Sequence, residues 1–285
     1  SPQKTATYKN DPKSIVADAS IALKNAKKEM RPYQVFNESL DTRNEYSKNI
    51  EISKKLKKAL QTGNIIAHYQ PIQDINTKIT EKYELLLRLI DENGSIISPL
   101  FFLEIAKKGR QYEALTKIAI KNAFEAAKKT GKNFSVNLSY EDISNKSLTN
   151  FLFEILSESG VGDKITFEIL ESESIKDYNK LQGFISELKQ FGCKVAADDF
   201  GAGYSNFEHL IHLDLDYIKI DGSIVKNILT NDSSKIIAQT IVEFAKKLNI
   251  KTVAEYVSSE EIYDAVKEIG VDYAQGYYVG KPIIL

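Results

Sequence analysis

The sequence is poor in the residues that build soft-metal sites. It holds one cysteine, Cys193, and three histidines, His68, His209 and His212, in 285 residues. These are too few and too scattered for a Cys/His zinc centre, so a metal here has to be held by oxygen. Net charge is nearly absent too. The 38 basic and 39 acidic side chains leave −1, a balance that creates no global field for a nucleic-acid polymer or an anionic membrane. An anionic ligand therefore needs a local site. No apolar run approaches the roughly 20 residues that span a bilayer, and the first residues lack the charged-then-apolar order of a secretory signal. The expectation is a cytoplasmic domain, whose parent protein is free to be membrane-anchored through other regions. Repeats and low-complexity tracts are missing as well.

What the chain does have, from about Ile65 onward, is β-type runs alternating with helical ones. The strand candidates are Ile65–Gln70, Tyr83–Ile90, Phe134–Leu138, Ile165–Leu170, Lys194–Asp198, Tyr217–Ile220, Thr252–Ala254 and a short run near Tyr273. Helical spacing of apolar residues marks Ser98–Lys108, Glu113–Lys129, Leu148–Glu158, Tyr178–Phe191, Ser234–Leu248 and Ser259–Ile269. This alternation predicts parallel strands linked by helices, and eight strands with helices outside them suggest a barrel. Pattern alone leaves an open doubly wound sheet as the alternative. The first 62 residues differ, with a helix at Lys13–Lys28, a break at Arg31-Pro32, a short strand Tyr33–Phe36 and a charged helix over about Leu40–Leu60. That last helix is expected to pack through Ile50, Ile52, Leu56, Ala59 and Leu60.

The acidic residues carry the chemistry. Glu84, Asn137, Glu168 with Glu171, Asp198 with Asp199, Asp221 and Glu255 all fall in or just after β-type runs, and barrel enzymes build their sites from strand C-terminal ends. Taken singly, Glu84, Glu168 or Glu255 reads equally well as a helix cap. The adjacent pair Asp198-Asp199 beside an apolar strand is costly unless a cation neutralises it. Carboxylates with one amide oxygen suit Mg²⁺ or Mn²⁺, and a pair of such ions points to phosphoester hydrolysis. Lys219, an isolated base on an apolar strand, pairs with Asp221 or another acid in the bland reading.

The stretches His68-Tyr-Gln-Pro-Ile72, Glu84-Leu-Leu-Leu-Arg88, Val136-Asn-Leu-Ser139, Phe167-Glu-Ile-Leu-Glu171, Asp198-Asp-Phe-Gly-Ala-Gly-Tyr-Ser205, Ile218-Lys-Ile-Asp221, Val253-Ala-Glu255 and Asp272-Tyr-Ala-Gln-Gly-Tyr277 resemble, in order, the EAL family of cyclic di-GMP phosphodiesterases. The resemblance runs from about Leu60 to the end of the chain. It implies an α/β fold, a modified TIM-type (β/α)8 barrel with an N-terminal helical extension. It also implies linearisation of cyclic di-GMP to pGpG with Mg²⁺ or Mn²⁺, two ions in all. By matching position, Glu84, Asn137, Glu168 and Asp198 look like ligands of a first metal and Asp199 of a second. Glu255 looks like a further metal-binding acid that helps activate water, Lys219 like the lysine at the attacking water or phosphate, and Glu171 like the anchor of the loop after Asp199. Gln70 and Arg88 match substrate-contacting positions, and Gln275 is expected at the guanine end.

Residues 1–62 resemble the tail of a GGDEF-type domain, through Ala17–Lys28 and Tyr33–Phe36, plus a connector helix, which leaves 63–285 as the EAL barrel. The resemblance further implies a homodimer and an upstream GGDEF or sensory domain in the parent protein. Departures occur at Leu85, Leu170 and Ala202, and at Tyr256-Val257-Ser258, where the family usually has Gly-Val-Glu. A cyclic di-GMP receptor that binds without hydrolysing is the competing function.

Overall fold

The structure, a computed structural model, describes residues 12–28, 31–36, 43–170, 177–202 and 207–285. The chain divides into two compact units, Ser1–Leu56 and Lys57–Leu285. The first contains helix α1 (Pro12–Lys28) and most of α2 (Arg43–Thr62). On α2, Ile52, Leu56 and Ala59 are buried at the i, i+4, i+7 spacing of one helical face. Ile50, expected on that face, is exposed, because a step of two residues turns about 200° around a helix. The expected strand Tyr33–Phe36 is not one: these residues are irregular. The expected start of the second helix at Leu40 lies outside the described residues.

In the second unit the order is β1 (Ile65–Asp74), β2 (Thr80–Ile90), β3 (Ile96–Ile97), α3 (Pro99–Lys108), α4 (Tyr112–Thr130) and β4 (Asn133–Leu138). Then come α5 (Tyr140–Ser144), α6 (Lys146–Ser159), β5 (Ile165–Leu170), α7 (Tyr178–Gln190), β6 (Lys194–Phe200), α8 (Phe207–Ile211) and β7 (Tyr217–Ile220). The chain ends with α9 (Gly222–Val225), α10 (Asp232–Lys247), β8 (Lys251–Ala254), α11 (Glu260–Ile269) and β9 (Tyr273–Gln275). The strands run β1-β9-β8-β7-β6-β5-β4-β2, with β1 paired back onto β2, so eight of them close a barrel and β3 extends β2 as a hairpin. The expected barrel is therefore present, and the open-sheet alternative is excluded.

Uniformly parallel strands are not what forms. β1 is antiparallel to both β2 and β9, whereas β2 and β4 to β9 are parallel to their other barrel neighbours. Only residues 75–79 separate β1 from β2, and so short a link allows a hairpin but no helical crossover. Polar caps start the helices between strands. Ser139, Asn145, Asp177, Asn231 and Ser259 accept backbone N–H groups at the N-termini of α5, α6, α7, α10 and α11. Asp221 does the same for α9, and its carboxylate also acts on Asp199.

Side chains alternate along each strand, so residues two apart share a face. Ile72, Ala196, Tyr217 and Val253 form a buried cluster inside the barrel, with Tyr273 packed against it. Thr166 and Ser135 line the same interior. Two residues further toward the C-terminal end of each parallel strand stand Glu168, Asp198, Lys219, Glu255, Gln275 and Asn137. A mostly uncharged layer thus supports a charged one, which sits at the barrel end where strands lead into loops.

Candidate active site

Lys219 is the centre of the charged layer and only 1% exposed. Its ammonium donates to Glu168 Oε2 at 2.6 Å and lies 2.8 Å from Asp198 Oδ1, 2.8 Å from Glu255 Oε1 and 3.6 Å from Glu84 Oε2. Of the two partners the bland reading allows, Asp221 or another acid, Lys219 takes other acids, while Asp221 accepts from Ser223. Four carboxylates from β2, β5, β6 and the end of β8 thus face one ammonium, a formal excess of three negative charges.

Glu84 is held by two amides. Asn137 Nδ2 donates to its Oε1 at 2.8 Å, and Gln275 Nε2 donates to its Oε2 at 2.6 Å. Burial pushes the Glu84 carboxyl up, but the Lys219 charge and the two amide hydrogen bonds outweigh it and hold the group below its ordinary range. Glu168 goes the other way: burial lifts it well above the ordinary range against the pull of Lys219, and the charges of Glu84 and Asp198 add to the rise. Glu255 is pushed up to about 8, chiefly by burial, with Asp198 and Glu84 adding to it and Lys219 opposing. Lys219 would lose its proton more easily through burial alone, yet the surrounding carboxylates raise it well above the usual lysine value.

Asp199 reaches the same mouth by a backbone irregularity. Alternation along β6 would send Asp198 and Asp199 to opposite faces. Instead the β6–β7 register shifts between Ala197 and Phe200, and Asp199 adopts φ +53°, a bulge that re-aims its side chain. Carboxylate oxygens of Asp198, Asp199 and Glu255 then lie within 4.8 Å of one another. Burial, followed by the Asp198 charge, pushes Asp199 up to about 6. Glycine is required just beyond, where Gly201 has φ +95° and a Cβ would stand 2.4 Å from Ile224 Cδ1.

These oxygens fit hard divalent cations. The donors are carboxylates and one amide, the formal charge of the shell is negative, and Asp198 Oδ1 is buried and accepts no hydrogen bond, meeting Lys219 only as an ion pair. The layer floors a cavity of about 420 Å³ lined by Gln70, Arg88, Tyr256, Ser258 and Tyr277 together with the acids. In the β1–β2 hairpin Gln70 lies opposite Glu84, and Arg88 follows on the same face of β2. Arg88 donates to the Leu87 carbonyl at 2.9 Å.

Residues 53–282 match the EAL domain family. The chain belongs to the EAL domain family. Among curated relatives of this EAL domain, the cyclic di-GMP phosphodiesterase PdeF of Escherichia coli K12 is 30% identical, over 84% of this chain and 32% of its own. The cyclic di-GMP phosphodiesterase PdeA of Borreliella burgdorferi is 31% identical, over 79% of this chain and 34% of its own. The chain thus spans about a third of the length of these relatives. Among solved structures, the EAL domain protein of Listeria monocytogenes superposes with a TM-score of 0.75 at 26% identity, covering 81% of this chain and 93% of that one. The FimX EAL domain of Pseudomonas aeruginosa bound to c-di-GMP gives 0.75 at 25%, covering 82% and 96%.

Most of the residues expected in this EAL domain's site are together. Glu84, Asn137, Glu168, Asp198, Asp199, Lys219 and Glu255 surround the floor, and Gln70 and Arg88 line the wall. Gln275, expected at the guanine end, is 4% exposed and bonded to Glu84. Glu171 lies outside the described residues. The rings of Tyr256 and Tyr277 were not singled out from sequence as site residues, although both line the cavity. Tyr256 has φ +53° and is 58% exposed, a left-handed backbone that its place in the family's usual glycine position signals.

Proposed function

We propose that this EAL domain hydrolyses cyclic di-GMP to linear pGpG with Mg²⁺ or Mn²⁺. The observation that carries the reading is the convergence of Glu84, Glu168, Asp198 and Glu255 on Lys219, with Asp199 beside them, under an Arg88-lined cavity. The phosphodiesterase names of the relatives support the substrate. Glu84, Asn137, Glu168 and Asp198 are suited to hold one cation, and Asp198, Asp199 and Glu255 a second. A bound pair of ions supplies Lewis acidity at the phosphodiester and lowers the pKa of the attacking water.

The remaining work belongs to side chains. Arg88 fits a phosphate of the substrate through its planar guanidinium. Gln275 and Asn137 fix the rotamer of Glu84 before substrate arrives. Lys219, buried and cationic, offsets negative charge as it develops on the phosphoryl oxygens while the 3′ oxygen leaves. Glu255 is suited to take the proton of the attacking water.

Incubating the chain with cyclic di-GMP and Mg²⁺ or Mn²⁺, with chromatographic detection of pGpG, tests the reading. Metal-dependent pGpG is the expected result. Cyclic di-GMP binding without product supports the receptor reading, which Ser258 favours: it lines the cavity where the family usually has glutamate. We further infer that residues 1–62 are the end of a GGDEF-like domain with its connector, that 63–285 are the EAL barrel, and that the barrel pairs as a homodimer. A light-scattering mass of one chain at high concentration, with ligand and metal present, contradicts the dimer.

A further inference from the structure

The carboxylates of the charged layer converge on one ammonium, that of Lys219. Its ammonium touches Glu168, Asp198 and Glu255 at 2.6 to 2.8 Å and approaches Glu84 at 3.6 Å. Among the described residues no other Lys or Arg lies within ion-pair distance of these four. Carboxylates this deep carry a large desolvation cost and repel one another, so without a cation they would splay apart or take up protons. The ammonium stands among the oxygens that the proposed function assigns to a divalent ion. Both cations cannot keep full contact with Glu168 and Asp198, since each would face the other's charge at close range among side chains that are themselves buried.

We propose that Lys219 is a placeholder cation: it keeps the carboxylates converged in the metal-free protein, and a divalent ion gains Glu168 and Asp198 only as the ammonium gives them up. Metal affinity is then the outcome of a competition inside the site, and the two occupants are linked reciprocally. This inference rests on the metal-dependent part of the proposed function and on no assumption about the substrate.

The test is Mn²⁺ binding, read from the paramagnetic resonance signal of free Mn²⁺, in the wild-type chain and in K219M. Folded K219M should bind Mn²⁺ about 10- to 100-fold more tightly, the ordinary scale of coupling between two sites. Its melting temperature should also rise more on adding Mn²⁺ than that of the wild type. Equal or weaker binding by folded K219M overturns the proposal. Should K219M not fold, the wild type labelled with ¹⁵N-lysine decides: the Lys219 ammonium resonance must shift on saturation with Mg²⁺, and an unmoved resonance overturns the proposal. Mn²⁺ binding without pGpG formation refutes hydrolysis and leaves the placeholder standing. No binding by wild type or K219M removes both.

Discussion

Gln275 Nε2 donates to Glu84 Oε2 at 2.6 Å, joining the last strand of the barrel to the second across the interposed β1. β1 pairs with both, Ile72 opposite Gln275 and Gln70 opposite Glu84. The bond therefore spans the place where the barrel closes. Replacing Gln275 by alanine leaves one carboxylate oxygen without its amide. We expect a loss of roughly 10- to 100-fold in Mn²⁺ affinity or kcat/KM, the usual effect of removing a group that orients a metal ligand. Calorimetric metal titration and pGpG release measure the two.

Glu84→Gln and Asp198→Asn keep side-chain shape and remove one charge each from the shell of Lys219. Both should lower the rate of pGpG formation by roughly 100- to 1,000-fold while leaving the circular dichroism spectrum unchanged. Wild-type turnover in both variants would contradict the assignment of the site.

Stability of the metal-free chain should fall as pH rises. Glu255 moves from 4.5 to about 8 and Asp199 from 3.8 to about 6, burial being the first cause in each. Between the ordinary and the raised value the folded chain keeps a proton that the unfolded chain has released. The stabilisation is thus fully present below the ordinary carboxylate range and lost as pH climbs to about 8. Melting temperatures in chelator, from about pH 5 to about pH 8.5, should decline, and saturating Mg²⁺ should flatten the decline by favouring the ionised groups.

Gly276→Ala should destabilise the barrel mouth. A Cβ at this position would stand 2.1 Å from the Val257 carbonyl oxygen and 2.3 Å from its nitrogen, and backbone cannot yield as a side-chain tip does. Val257 and Gln275 share a backbone hydrogen bond, so separating them also disturbs the Gln275 contact with Glu84. Urea denaturation should show a loss of about 1–3 kcal/mol, accompanied by reduced activity.

Much of this arrangement was legible in the order of residues. Short β-type runs between helical segments marked the strands, and an acid or base two positions beyond an inward apolar residue faces inward as well, as with Val253 and Glu255 or Tyr217 and Lys219. Other features were not legible. The hairpin of β1 and β2 breaks the parallel pattern for want of a crossover, and Tyr33–Phe36 has strand composition but irregular backbone. Asp199 would point away from the site under strict alternation. A register shift and a left-handed residue turn it back.

Residue type and local spacing sufficed to read the fold family and the oxygen-rich residues of the candidate site, because both depend on little else. Which acids share Lys219, that Gln275 donates to Glu84, and that Asp199 joins Asp198 and Glu255 became visible once the chain was folded. Those relations join residues from distant strands. They arise when the barrel closes and burial sets the strength of each charge.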